Sequence, residues 1–223
     1  MAFEFDHVFI WASCGGTEAN GLAAFGLTEG PPNVHPGQGT ACRRFFFANG
    51  YLELLWISNA EEAQSETIQP THLWERWKGR ARGACPVGLG FRPKNQHYGG
   101  TPFSSWEYRP SYLPAPLSLH IATNAHVLTE PMLFYLPFGL RPDAYPSAKR
   151  PRTEHPAGLR EMTRVQLASP HADRLSAEMT TVTATGLAHL RQGTEYLVEL
   201  GFDGESQGQH ADFRPLLPLL FRW

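Results

Sequence analysis

The chain has 223 residues, with 19 Lys and Arg against 21 Asp and Glu and a formal net charge of -2 at neutral pH. Its basic residues are scattered, which argues against an electrostatic grip on nucleic acid or an anionic membrane and leaves small neutral or mixed-polarity ligands as the better partners. No apolar run approaches the ~18 residues of a bilayer span, and MAFEFDHVF lacks the basic leader and apolar core of a secretory signal, so a soluble, cytoplasmic protein is expected.

The length is ample for one compact body with a hydrophobic core. Cys14, Cys42 and Cys85 show no CxxC spacing and read as reduced, mostly buried thiols rather than a disulfide framework or zinc knuckle. The 21 Gly and 19 Pro fit many short strands joined by turns better than a helical bundle.

The opening FEFDHVFIWA alternates as a strand, with Phe5, His7, Phe9 and Trp11 on one face and Asp6, Val8 and Ile10 on the other. After the SCGG turn, Thr17 is positioned to cap a short helix through TEANGLAAFGL that Gly26 ends. Strands follow near Ala41 to Ala48 and Tyr51 to Ile57, joined by Asn49-Gly50, a two-residue hairpin signal. Glu53 sits among Leu52, Leu54, Leu55, Trp56 and Ile57, where a carboxylate is costly to bury unless a cation, a proton or hydrogen-bond donors meet it. An ion pair with Arg43 or Arg44 across the hairpin is one answer, and a ligand or catalytic role is the other. The HPGQGT loop lacks the Lys-Ser/Thr of a P-loop, so its glycines read as turn formers.

Residues 58 to 82 read as a connector, helical around His72 to Lys78. Strand-like segments return at CPVGLGFRP, SSWEYRP, APLSLHIAT and PMLFYLPF, and Gly139 to Pro156 is loop. In the final third, LREMTRVQLA is a strand, SPHADRLSAEM a short helix, ATGLAHLRQG a turn and strand, TEYLVELGFDG a strand, and ADFRPLLPLLFRW an edge or terminal strand limited by Pro215 and Pro218. A strand-helix-strands unit thus occurs at 5 to 57 and again at 160 to 223, with extra strands between.

FDHVFIW, AAFGLTEG, HPGQGTACRRFFFANGYLELLW and HADFRPLLPLLFRW together resemble the glyoxalase-like branch of the vicinal oxygen chelate superfamily. The resemblance implies an α+β fold of paired βαβββ modules, whose curved, partly closed mixed sheets surround a small-molecule cavity. It implies one body over 1–223: a first module at 5–57, a connector with extra strands and loop at 58–159, and a divergent second module at 160–223. Such pairing within one chain is compatible with a monomer or a homodimer. In metal-bearing members the ligands lie on the first and fourth strands of a module, which here match His7 and Glu53. An imidazole and a carboxylate converging on a cavity can hold Zn, Ni, Fe, Mn or Co with positions left open for a substrate's oxygens.

The second module departs from that pattern. MTRVQL overlays DHVFI with Arg164 where His7 stands, and either Val198 or Glu199 falls opposite Glu53, depending on register. His120, among Leu117, Leu119 and Ile121, is the first candidate for a third metal ligand. Arg164 is alternatively a partner for Glu53 or for a substrate carboxylate. Trp106, Tyr108 and Tyr112 read either as a ligand-binding wall or as an aromatic core cluster, and His35 as a residue of the cavity rim. Loops 28 to 40 and 94 to 116 are expected to shape the pocket.

Two functions follow. The first is a glyoxalase-like enzyme in which a divalent metal on His7, Glu53 and His120 polarises a carbonyl or vicinal oxygens, with Glu53 also able to move a proton beside the carbonyl. The second is a metal-free protein that binds or sequesters a small molecule against Trp106, Tyr108 and Arg164.

Overall fold

The computed structural model describes residues 2–95 and 100–223, so part of the loop 94 to 116 lies outside the described residues. The first unit runs β1 (Phe3–Trp11), α1 (Ala19–Phe25), β2 (Asn33–His35), β3 (Thr40–Phe46) and β4 (Tyr51–Ile57), a βαβββ module where the alternation predicts one, with the β3-β4 turn closed by Phe47 and Gly50 around Ala48 and Asn49 rather than centred on Asn49-Gly50. Two short helices follow, α2 (Ala60–Ala63) and α3 (Leu73–Gly79). The next strands are β5 (Val87–Pro93), β6 (Ser105–Tyr108), β7 (Leu119–Ala122) and β8 (Met132–Tyr135). The last third contains β9 (Met162–Ser169), α4 (Ala177–Ala184), β10 (His189–Gln192), β11 (Leu197–Phe202), β12 (His210–Asp212) and β13 (Leu219–Arg222). Helix α4 begins later than SPHADRLSAEM suggests, because Ser176 rather than the Ser-Pro turn caps it, accepting from the Met179 amide. Among the described residues no helix is long and apolar enough to cross a membrane.

The strands form two sheets. Eight run in the order β2-β3-β4-β1-β5-β8-β7-β6, and five in the order β10-β9-β11-β13-β12. The continuation of the first module's sheet is therefore residues 87–135, while 162–222 build the second sheet. The glycines of VGLGFRP and the lack of a helix between β5 and β6 among the described residues leave no βα pattern there for sequence reading to find. The ends of the large sheet curl towards each other. Ser111 Oγ donates to the Pro36 carbonyl at 2.8 Å and Tyr108 Oη to Gln38 Oε1 at 3.0 Å, joining the β6 end to the turn after β2. Gly37, with φ of 78°, is needed at this seam, since a Cβ there would lie 2.1 Å from Ser111 Oγ.

Strand alternation gives the large sheet two apolar faces. Phe9, Trp11, Leu55, Ile121, Met132 and Phe134 point to the concave side. Val8, Ile10, Leu52, Leu54, Leu89, Phe91, Leu133 and Tyr135 point to the convex side, where they share one core with Val165, Leu167, Leu200, Phe202 and Phe221 of the second sheet. Burial of both faces accounts for the near-continuous apolar run of YLELLWI.

The five-stranded sheet repeats the inner five strands of the large one. In each, a parallel pair (β4-β1, β10-β9) is followed by an antiparallel one (β1-β5, β9-β11), a parallel one (β5-β8, β11-β13) and an antiparallel one (β8-β7, β13-β12). The irregularities coincide too: Phe5 and His7 oppose Phe91 and Gly90, as Met162 and Arg164 oppose Phe202 and Gly201. Arg164 thus holds the place of His7, as the sequence overlay has it. The β1 pairing of Phe9 with Glu53 corresponds to the β9 pairing of Gln166 with His189, so His189 stands where Glu53 does. Glu199 falls in the place of Gly88, two residues before the glycine of the shared Leu-Gly-Phe.

Candidate functional site

The site lies on the concave face, where parallel pairing of β1 and β4 sets His7 opposite Tyr51 and Phe9 opposite Glu53. His7 and Glu53 are only 4% and 6% exposed, and His7 Nε2 lies 3.4 Å from Glu53 Oε2. The other ring nitrogen, Nδ1, is 2.6 Å from Asp6 Oδ1, and the ring stacks on Tyr51 with centroids 4.1 Å apart. Adjacent residues normally face opposite ways in a strand; the bulge between Phe5 and His7 leaves Asp6 outside the regular pairing, so its carboxylate reaches the ring beside it. Asp6 Oδ2 accepts from Arg92 Nη1 at 3.0 Å, and the fully buried Arg92 also donates to Glu4 Oε1 and the Asn49 carbonyl.

Charge decides the protonation states here. Burial alone pushes Glu53 up, but the hydrogen bond and charge of His7, the charge of His35 and the Cys42 thiol outweigh it and hold the carboxyl down at about 2. Burial pushes His7 down, and its bonds to Asp6 and Glu53 more than reverse this. Asp6 is likewise held below the usual carboxylate range, against its burial, by His7 and Arg92, so each carboxylate favours a proton on the ring between them. Neither arginine of the hairpin partners Glu53. Arg43 forks onto Glu29 at 2.7 and 2.6 Å, and Arg44, opposite Glu53 in the register, donates to the Pro31 carbonyl.

Alternation along β3 turns Thr40, Cys42 and Arg44 towards this same face. His35, Cys42 and Glu53 are all buried, and each offers a ligand atom within 4.8 Å of the others. Burial, reinforced by the charge of the neighbouring Glu53, pushes the Cys42 thiol well above its ordinary range. Burial holds His35 below the usual imidazole value; its Nδ1 meets Thr40 Oγ1 at 2.8 Å and its Nε2 meets Asn33 Nδ2 at 3.0 Å. The nitrogen, sulfur and oxygen donors suit a borderline divalent ion such as zinc, and Asp6 stands behind His7 as a carboxylate that fixes a metal-binding imidazole does. The residues present fit a metal.

His7, His35 and Glu53 open on a cavity of about 230 Å³, walled by Phe9, Leu55, Tyr108, Tyr112, Ile121, Met132 and Phe134. Its floor depends on β5. A Cβ on Gly88 would lie 2.0 Å from the Phe9 ring, and one on Gly90 would lie 2.7 Å from Phe134 and 3.0 Å from His7. The rings that line the cavity therefore rest on glycine backbone, and β5 offers no ligand of its own.

Of the residues singled out from sequence, His7, His35, Glu53 and Tyr108 meet at the cavity, as does Tyr112. Trp106 packs edge-on against Tyr108, with centroids 5.8 Å apart, outside the cavity lining. His120 pairs with Tyr135 and turns to the opposite face of the sheet, because it is one residue out of phase with Ile121, which opposes Phe134. Arg164 lies on the second sheet, bonded to Glu205 at 2.5 Å and 3.8 Å from Glu199, which also accepts from Arg191. Asp6, Cys42, Arg44 and Tyr145 also belong to this site or its edge. Cys42 and Arg44 have a sequence signal, the alternation that carries Glu53's face across the hairpin; Asp6 has none, since only the bulge turns it inward.

Residues 5–95 match a glyoxalase-like domain. Over these residues the chain is similar to the glyoxalase-like domains of the vicinal oxygen chelate superfamily. The glyoxalase-like match takes in β1 to β5 and hence His7, Glu53, His35 and Cys42. Comparison with curated proteins gives no match. Among solved structures, a hypothetical protein from Staphylococcus aureus aligns at 9% identity over 99% of this chain and 98% of that one, with a TM-score of 0.49.

Proposed function

We propose that the protein is a glyoxalase-like enzyme that acts on a small carbonyl or vicinally oxygenated compound with a divalent metal at His7 and Glu53. Cys42 and His35 supply the further donors. The observation that carries this reading is the convergence of buried His35, Cys42 and Glu53 within 4.8 Å, with His7 3.4 Å from the same carboxylate. A bound metal would act as a Lewis acid on the substrate's oxygens. Asp6 holds His7 with Nε2 towards the cavity, and Glu53 is the group placed to take or return a proton beside a carbonyl. The aromatic and aliphatic wall keeps the ligand's apolar part out of water, and Tyr108 and Tyr112 bring phenolic edges to it.

The test is metal content. Protein purified without chelator is expected to carry stoichiometric metal, which His7→Ala and Glu53→Ala each lose. A wild-type protein that takes up none of Zn, Ni, Mn or Fe under reducing conditions sinks the enzyme reading. A second reading, a metal-free binding protein, is supported by the glycines of β5 and by the self-sufficient Asp6-His7-Glu53 row; it predicts that absence together with ligand binding in the same cavity.

A further inference from the structure

Beside the main cavity runs a second groove, of about 480 Å³, lined by Glu29, Arg44, Phe46, Tyr145, Lys149, Arg150 and Arg152 among others. Arg44 and Tyr145 line both spaces, so the groove adjoins the cavity across these two side chains. Its charge is one-sided. Both oxygens of Glu29, its one acidic residue, are taken by Arg43, which leaves Arg44, Lys149, Arg150 and Arg152 without a neutralising carboxylate in the groove. Lys149 and Arg152 make no ion pair among the described residues. Arg92, Arg141, Arg164, Arg191 and Arg214, by contrast, each meet an acidic side chain.

The loop that brings the cations is held in shape. A 3-10 turn spans Ser147–Lys149, prolines stand at 146 and 151, and Arg150 Nε donates to the Tyr145 carbonyl at 3.2 Å. Arg44 is anchored as well, through Nε and Nη2 on the Pro31 carbonyl and with its guanidinium 5.1 Å from the Phe46 ring centroid, while Nη1 makes no hydrogen bond among the described residues. A planar guanidinium fixed in this way presents its remaining edge to an oxyanion.

We infer that this groove seats an anionic end, phosphate or carboxylate, of the molecule whose oxygenated end lies at His7 and Glu53. The inference rests on the functional reading above for the head of the ligand, and on the groove alone for its tail. Arg44 joins the two: its strand position opposes Glu53 while its side chain reaches the groove. The substrate class narrows to small oxygenated acids or phosphate esters, and neutral carbonyl compounds become poor ligands.

The probes are inorganic phosphate and acetate, titrated by calorimetry into the full chain at low and moderate salt. Saturable binding of at least one is expected, weakened by added salt. Lys149→Gln with Arg152→Gln is expected to weaken it tenfold or more, with metal content and thermal midpoint unchanged, since both residues are exposed. Lys94→Gln with Arg174→Gln removes the same charge away from the groove and is expected to leave binding within twofold. The tighter probe identifies the oxyanion. Absence of binding by both anions, or equal weakening by the two double variants, overturns the inference. Anion binding that survives in a protein without metal separates the two claims: the groove then stands and the metal reading falls.

Discussion

His7 Nε2 lies 3.4 Å from Glu53 Oε2, joining the first and fourth strands of the first module across the floor of one cavity. Asp6, at 2.6 Å from the other nitrogen, makes that orientation a fixed one. Asp6→Asn removes the carboxylate behind the ring and is expected to lower metal affinity 10- to 100-fold, about what losing such a partner costs elsewhere. Competition with a chelating dye measures it. Because Asp6 also pairs with buried Arg92, a urea melt of the same variant separates loss of fold from loss of metal; unchanged affinity in a folded variant removes Asp6 from the positioning role.

Gly88 and Gly21 are expected to respond to alanine in opposite directions. A Cβ on Gly88 meets Phe9 at 2.0 Å inside the packed concave face, so Gly88→Ala is expected to destabilise by about 1–3 kcal/mol. At Gly21, inside α1, a Cβ would press only on the outer methyl of Leu216, a side chain 49% exposed and free to move. Gly21→Ala is expected to gain about 0.5–1 kcal/mol from the backbone entropy that glycine loses on folding. Denaturant midpoints of the two variants decide; equal effects remove the distinction between a packed ring and a mobile methyl.

Arg76 is fully buried and donates to three carbonyls, those of Glu130 at 2.6 Å, Ala125 at 2.9 Å and Val127 at 3.1 Å. Burial lowers its pKa to about 10 against the raising effect of nearby acidic groups, so it is still a cation at neutral pH. Arg76→Met fills similar volume but strands the carbonyls, and is expected to cost about 3–5 kcal/mol in urea unfolding. A loss under about 0.5 kcal/mol, the range of ordinary surface changes, would show that the carbonyls find other donors.

His155 accepts the Thr28 amide at Nδ1, 2.9 Å away, and donates from Nε2 to the Phe46 carbonyl at 3.0 Å, a pattern that requires the neutral ring. Burial lowers its folded pKa, against the raising effect of that carbonyl and of Glu154. The unfolded chain therefore takes up the proton first as pH falls. The stability due to His155 is complete above about 6.5, the ordinary imidazole value, and declines from there towards the depressed folded pKa. Unfolding free energies at pH 7.5 and 5.5 are expected to differ less in His155→Gln than in the wild-type protein, where other histidines supply a common background. An identical pH dependence in both would mean that His155 titrates alike folded and unfolded.

Sequence alone determined the parts set by local pattern. Alternation fixed the faces of β1 and β4, the Asn-Gly pair marked a turn before β4, and the isolated carboxylate of YLELLWI marked Glu53 as a residue in need of a partner. With the family resemblance, His7 followed. Register and long-range pairing were decided only by tertiary structure, because they depend on which strands meet rather than on what each contains. One residue of phase turned His120 away, one bulge turned Asp6 inward, and the pairing of β2 with β3 brought His35 to the carboxylate that Cys42 already faces. Arg164 kept the place of His7, but on another sheet, because strand order gave the large sheet's second half to 87–135.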